Sequence, residues 1–169
     1  MRARLYKGLL AGLMLVLAGC SSVNPFSEDE DQPIKLEMVI EAAHDINPDT
    51  SGVASPLEIR IYQLKSLTEF EQSDFFTLYN EEPLGSSLLD TRIFIMSPSQ
   101  IEELKTDLNP ETQYIAVIAA YRDIDNAEWK ASVQVRDSRG FLKKMISSQR
   151  VMSLQTVALT SRVLLADGE

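Results

Sequence analysis

Alternation of apolar and polar residues at a period of two recurs along most of this chain, and it restricts the fold more than any other feature. Ile34, Leu36, Met38, Ile40 and Ala42 share one face, with Lys35, Glu37 and Glu41 opposite, broken by Val39. A half-buried strand writes that pattern. Leu57, Ile59 and Ile61 alternate with Glu58 and Arg60 in a second strand. Leu89, Thr91, Ile93 and Ile95 share a face of a third, from Leu88 to Met96. Ile115 to Tyr121 is apolar on both faces, which predicts a central strand. Trp129, Ala131, Val133 and Val135 alternate with Glu128, Lys130, Ser132 and Gln134, a strand with one wet face. Val157, Leu159, Val163 and Leu165 fall at even offsets and predict a last strand. Six or more short strands punctuated by turns mean an all-β, two-sheet β-sandwich.

The interruptions are as informative as the strands. His44 to Pro56 holds Asn47-Pro48, Asp49, Ser51-Gly52 and a closing proline, so it is a loop by turn chemistry. It is too long for a tight hairpin, and loops of that length are often functional. Ser66 and Glu69 fit a capping box that opens a helical insert over about 66–80, between the second and third strands. The insert restarts near Ser73-Asp74, buries Phe75, Phe76, Leu78 and Tyr79 on one face, and is stopped by Pro83. Residues 99–108 fit either a capped helix or an alternating strand, and 141–153 have weak periodicity. Leu108-Asn109-Pro110-Glu111-Thr112-Gln113-Tyr114 is similar to a tyrosine corner, whose phenol bonds back to upstream backbone.

Ahead of the sandwich, Arg2, Arg4 and Lys7 precede an apolar run from Leu9 to Leu17 and the sequence Leu17-Ala18-Gly19-Cys20. A basic head, a short apolar middle and small residues at a cleavage point predict a signal peptide over 1–19. The run is far short of the about 20 residues that span a bilayer. Leu-Ala-Gly-Cys is also a lipobox, which makes Cys20 an acylated mature N-terminus. Residues 20–33 then form a lipidated, flexible, acidic and proline-bearing tether, and 34–169 form the folded domain. At about 5–6 Å times the square root of residue number, that tether reaches roughly 20 Å. Cys20 is the only cysteine, so no disulfide can form within the chain and the core must hold the domain together. The whole chain carries a net charge of −9, and loss of the three basic leader residues makes the mature part more acidic still. That balance argues against nucleic acid and against a polybasic grip on anionic lipid. Membrane attachment then falls to the acyl chains.

Catalysis finds little in the residues. His44 is the only histidine, and no Gly-x-Ser-x-Gly elbow accompanies it. Lipidation consumes Cys20, which leaves neither a Cys–His pair nor the ligands of a structural zinc site. The acidic stretches 28–31 and 123–125 lack the oxygen spacing of a calcium loop. We expect no enzyme, no cofactor, no metal and no small-molecule substrate.

Three ordered stretches behind the lipobox carry a family resemblance. They are Asn47-Pro48-Asp49 to Ser55-Pro56 leading into Arg60-Ile61-Tyr62-Gln63-Leu64-Lys65, then Asp74-Phe75-Phe76-Thr77-Leu78-Tyr79, then Tyr114 to Asp123 with Ala119-Ala120-Tyr121-Arg122-Asp123. In this order they resemble the TssJ (SciN) family of type VI secretion lipoproteins. The resemblance implies a transthyretin-like sandwich and makes 99–108 a strand. It implies a lipoprotein held by Cys20 at the periplasmic face of the outer membrane. Its partner would be the periplasmic C-terminal domain of the inner-membrane protein TssM. Partner contact would fall on the loop between the first two strands: Asp45, Ile46, Asn47, Pro48, Asp49, Thr50, Ser51, Gly52 and Val53. Asn47 and Asp49 either touch the partner or only shape the turn. Tyr62, Phe75, Phe76, Tyr79, Tyr114 and Trp129 read as structural, and Arg122 and Asp123 as charges that pair with each other or with nearby groups. The alternative is an envelope lipoprotein that binds a small hydrophobic ligand or assists outer-membrane protein assembly.

Overall fold

The computed structural model describes residues 33–80, 82–137, 139, 147 and 149–168. The expected signal peptide, Cys20 and all but the last residue of the tether lie outside them, as does most of 141–153. Eight strands form two four-stranded sheets: β1 (Lys35–Ala42), β2 (Leu57–Leu64), β3 (Leu88–Met96), β4 (Ile101–Asp107), β5 (Tyr114–Ala119), β6 (Lys130–Gln134), β7 (Val151–Ala158) and β8 (Val163–Asp167). One sheet has the order β4-β1-β7-β8 and the other β3-β2-β5-β6. Only the β1–β7 pairing is parallel.

The alternating residues of both sheets meet in the interior. Leu36, Met38 and Ile40 of β1 face Leu57, Ile59 and Ile61 of β2, joined by Ile115 and Val117 of β5 and Met152 and Leu154 of β7. Because consecutive strands β1 and β2 lie in opposite sheets, residues 43–56 must cross the end of the sandwich. That crossing is why the loop is long.

The double-sided apolar character of β5 has its own cause. Ala116 and Ile118, with Tyr62 and Leu64 of β2, line the outer face of the second sheet and are covered by the insert. The insert comprises α1 (Thr68–Gln72), α2 (Phe75–Tyr79) and a 3₁₀ stretch, Glu82–Ser87. Helices of five residues do not stand alone in water. Phe70, Leu78 and Leu84 anchor these, each at 1% exposure or less. Full burial of such side chains is worth roughly 1.5–3 kcal/mol apiece before ordering costs. Lys130 Nζ donates to the carbonyls of Phe70, Glu71 and Ser73 at 3.1, 2.8 and 3.3 Å, which satisfies the C-terminal end of α1.

Several local expectations change. The capping box does not form: Ser66 Oγ accepts from Thr68 N at 3.1 Å, a short turn, and Leu67 precedes α1 without a side-chain cap. Asp74 does cap α2, accepting from Thr77 N. α2 ends at Tyr79, and Pro83 sits within the 3₁₀ stretch rather than stopping the helix. Phe76 is 67% exposed, because Phe75, Leu78 and Tyr79 take the one face that so short a helix can bury. Phe75 packs on Trp129 and Tyr79 with ring centroids 5.4 and 5.5 Å apart. In β3 the face holding Ile93 and Ile95 is the outer one, and Phe94 and Met96 turn inward opposite Ile59 and Leu57. Residues 99–108 do contain a strand, β4. The segment 157–165 is not one strand but the end of β7, a turn and β8.

The tyrosine corner is replaced by a glutamine. Among the described residues no hydrogen bond reaches the Tyr114 hydroxyl, and its ring packs half-buried beside the insert. Gln63 Oε1 instead accepts from Asn109 N and from Thr112 Oγ1, both at 2.9 Å. Gln63 is 5% exposed, so these bonds form out of water and secure the turn into β5.

Candidate functional site

The crossing loop and its neighbours occupy one end of the sandwich. β1 enters from the opposite end, where Lys35 pairs with Asp107 and Val151, and leaves at Ala42, beside Ala158. At about 3.3 Å per residue its eight residues separate the two ends by roughly 25 Å. The turn between β7 and β8 and the segment after β5 reach the same end as the loop, because Ala158 ends β7 beside Ala42 and Ala119 pairs with Ile59.

Within the loop, each bend has a tie. Ile46 inserts into the core at 0% exposure, and its carbonyl accepts from Ser55 N at 3.1 Å. Asn47 takes a left-handed conformation, φ 48°, which asparagine tolerates better than most residues. It is 4% exposed, donates from Nδ2 to Pro56 O at 2.8 Å, and accepts at Oδ1 from Arg122 N at 2.9 Å. One side chain therefore closes the loop on itself and ties it to the end of β5. Asp49 organises the tip. Its Oδ1 accepts from Ser51 N at 2.8 Å and Val53 N at 2.9 Å, and its carbonyl accepts from Gly52 N. Gly52 sits at φ +80°, where a Cβ would be strained. The Val53 and Ser51 amides, helped by the field of Arg122, hold the Asp49 carboxyl below its ordinary value. Asp45 is lowered too, first by the Thr160 hydroxyl, which donates to Oδ2 at 2.8 Å.

The nine loop residues divide by exposure. Ile46 and Asn47 point inward and shape the loop. Pro48 and Asp49 are half-buried, while Asp45, Thr50, Ser51, Gly52 and Val53 are exposed, Val53 at 61%. Beside them opens a depression of about 610 Å³ lined from Asn47 to Thr50 on one wall and by Tyr121, Arg122, Asp123, Thr160 and Ser161 on the others. Sequence reasoning missed Thr160 and Ser161, which stand more than a hundred residues from the loop and carry no local signal. Arg122 and Asp123 are brought to the site, and Asp123 pairs with a nearby group rather than with Arg122: its Oδ1 accepts from Asn126 Nδ2 at 2.8 Å. Of the residues expected to be structural, Tyr62 is fully buried and Phe75, Tyr79, Tyr114 and Trp129 are half-buried against the core. Among the described residues no group of three or more His, Cys, Asp or Glu is placed to hold a metal ion.

Comparison with known proteins bears on both fold and family. A search among curated proteins finds no match. The chain is similar to the crystal structure of the type VI secretion lipoprotein TssJ1 from Pseudomonas aeruginosa, at 26% identity and TM-score 0.71, over 81% of this chain and 98% of that one. It is also similar to Lip from Serratia marcescens, a membrane-bound component of the type VI secretion system, at 29% identity and TM-score 0.70, over 81% and 99%. A chain in the structure of the type VI secretion protein TssM C-terminal domain from EAEC shares the fold at 16% identity and TM-score 0.61, over 79% and 98%. The family model described as type VI secretion lipoprotein, VasD, EvfM, TssJ, VC_A0113, matches residues 34–159. With that match spanning well over half of its length, the chain belongs to the TssJ family of type VI secretion lipoproteins.

Proposed function

We propose that this lipoprotein is held at the periplasmic face of the outer membrane by acylated Cys20 and binds the periplasmic C-terminal domain of TssM through the loop at 45–53. In doing so it helps to assemble the type VI secretion membrane complex. It acts as a binding module and not as an enzyme. His44 is solvent-exposed, its Nδ1 3.9 Å from Asp45 Oδ1.

The observation that carries the reading is the tied loop. Asn47 and Asp49 order it before any partner arrives, while Thr50 to Val53 stay exposed at its tip. A surface already ordered loses less freedom on binding than a mobile one. Two surface depressions among the described residues, of about 320 and 610 Å³, have charged side chains in their walls, which does not favour a small apolar ligand there.

The test is binding between the mature lipoprotein in detergent and the TssM periplasmic C-terminal domain of the same organism. The pair should bind at micromolar affinity or tighter. Combining Asp49→Ala with Val53→Ser should weaken it at least tenfold, about 1.4 kcal/mol. A folded variant that binds like the natural chain would sink the site, and a natural chain that does not bind would sink the partner.

A further inference from the structure

Arg122 stands apart from every other arginine among the described residues. Arg60 holds Glu58 at 2.7 Å, Arg92 holds Asp90 at 3.1 Å, and Arg139 and Arg162 hold Asp137 and Glu128 at 2.9 Å. Arg136 pairs with Asp167, and Arg150 is engaged too. The Arg122 guanidinium makes no ion pair or hydrogen bond within the described residues, although the chain has 25 acidic side chains against 16 lysines and arginines. Its neighbour Asp123 is turned to Asn126. Asp49, the other acid in the depression, feels the Arg122 charge but forms no ion pair with it, and spends Oδ1 on the amides of its own loop.

The backbone at this position is nevertheless fixed. Asn47 Oδ1 accepts from Arg122 N, so the loop itself sets where the side chain departs. From there the exposed guanidinium lines the depression between the loop and the turn joining β7 to β8. A planar guanidinium with five N–H donors binds a carboxylate through two parallel bonds, and it gives up its hydration more readily than an ammonium. Arginines of this kind are enriched among the few residues that dominate interface energies.

We propose that Arg122 is a specificity-determining residue of this surface, receiving the carboxylate of an aspartate or glutamate on the partner protein in the depression beside the loop. The assignment rests on the reading of the loop as the partner-binding surface. The opposite partner chemistry has a rationale too, because Asp45, Asp49, Asp123 and Asp125 surround this end and would attract a cation. Arg122→Glu separates the two.

The experiment measures affinity of the mature lipoprotein in detergent for the TssM periplasmic C-terminal domain at low and high salt. Variants Arg122→Lys, Arg122→Gln, Arg122→Glu and Val53→Ser are compared. Arg122→Gln should weaken binding at least tenfold and flatten its salt dependence. Arg122→Glu should weaken it further, and Arg122→Lys should recover part of the loss. The unfolding midpoint should move little, since the residue is exposed and its side chain makes no hydrogen bond or ion pair within the described residues. Tighter binding by Arg122→Glu would overturn the proposal in favour of a cationic partner group. Arg122→Gln binding within twofold of the natural chain, while Val53→Ser binds weakly, would overturn it and leave the loop reading standing. Loss of binding in the Arg122 variants while Val53→Ser binds like the natural chain would sink the loop reading and overturn the assignment that rests on it. A natural chain that fails to bind would overturn both.

Discussion

Among the polar residues of the loop, Asn47→Ala should cost the most stability. Two hydrogen bonds disappear, to Pro56 O and from Arg122 N. Each is worth about 1 kcal/mol net. Alanine must also hold φ 48°, a conformation that costs an ordinary residue roughly 1 kcal/mol or more. Both bonds are only part-buried, so the further desolvation cost of the freed backbone groups is small. The sum is about 3 kcal/mol, or about 10 °C in melting temperature for a domain of this size. Asn47→Gly loses the same bonds without the conformational strain and should cost about 2 kcal/mol. Urea unfolding of the domain measures both, with an unchanged slope expected because the loop is a small part of the surface exposed. An Asn47→Ala variant within about 0.5 kcal/mol of the natural chain would refute the account, being below the worth of even one such bond. A glycine variant less stable than the alanine one would refute the strain component in particular.

Gln63→Ala should destabilise by roughly 2 kcal/mol, because Asn109 N and Thr112 Oγ1 both lose a buried acceptor. Tyr114→Phe should be nearly neutral in the same unfolding assay, and a cost above about 1 kcal/mol would restore the tyrosine corner. Asp137 supplies a pH dependence. Burial pushes its carboxyl up, but hydrogen bonds and the charge of Arg139 outweigh that and leave it below its ordinary 3.8. A lowered folded-state value means the stabilisation is present above pH 3.8 and is lost as the pH falls through the folded-state value. Asp137→Asn should therefore flatten the acid limb of the stability profile below pH 3.8, and an unchanged slope there would count against this pairing.

Much of the sandwich was legible because a period of two is a property of the backbone pleat, written locally in each strand. β1, β2, β5 and β6 could be recognised in this way, and turn chemistry marked the crossing loop. The three ordered stretches sufficed to indicate the family. The phase of β3 was not legible. Both of its faces carry apolar residues, and only pairing of Met96 with Leu57 and Phe94 with Ile59 turns Ile93 and Ile95 outward. Phe76 was misread for a related reason: helical spacing shows which residues share a face but not how long the helix is.

The candidate site divides along the same line. Sequence alone determined that residues 44–56 form a loop and that Asn47 and Asp49 suit its bends, since turn preferences act within a few residues. Tertiary structure decided that Asn47 is an inward-facing clasp and that Thr160 and Ser161 face the loop. Those outcomes depend on contacts between residues 75 or more apart in the chain, such as Asn47 with Arg122 and Asp45 with Thr160. Only the packing of two sheets brings such residues together, and no local pattern encodes that packing.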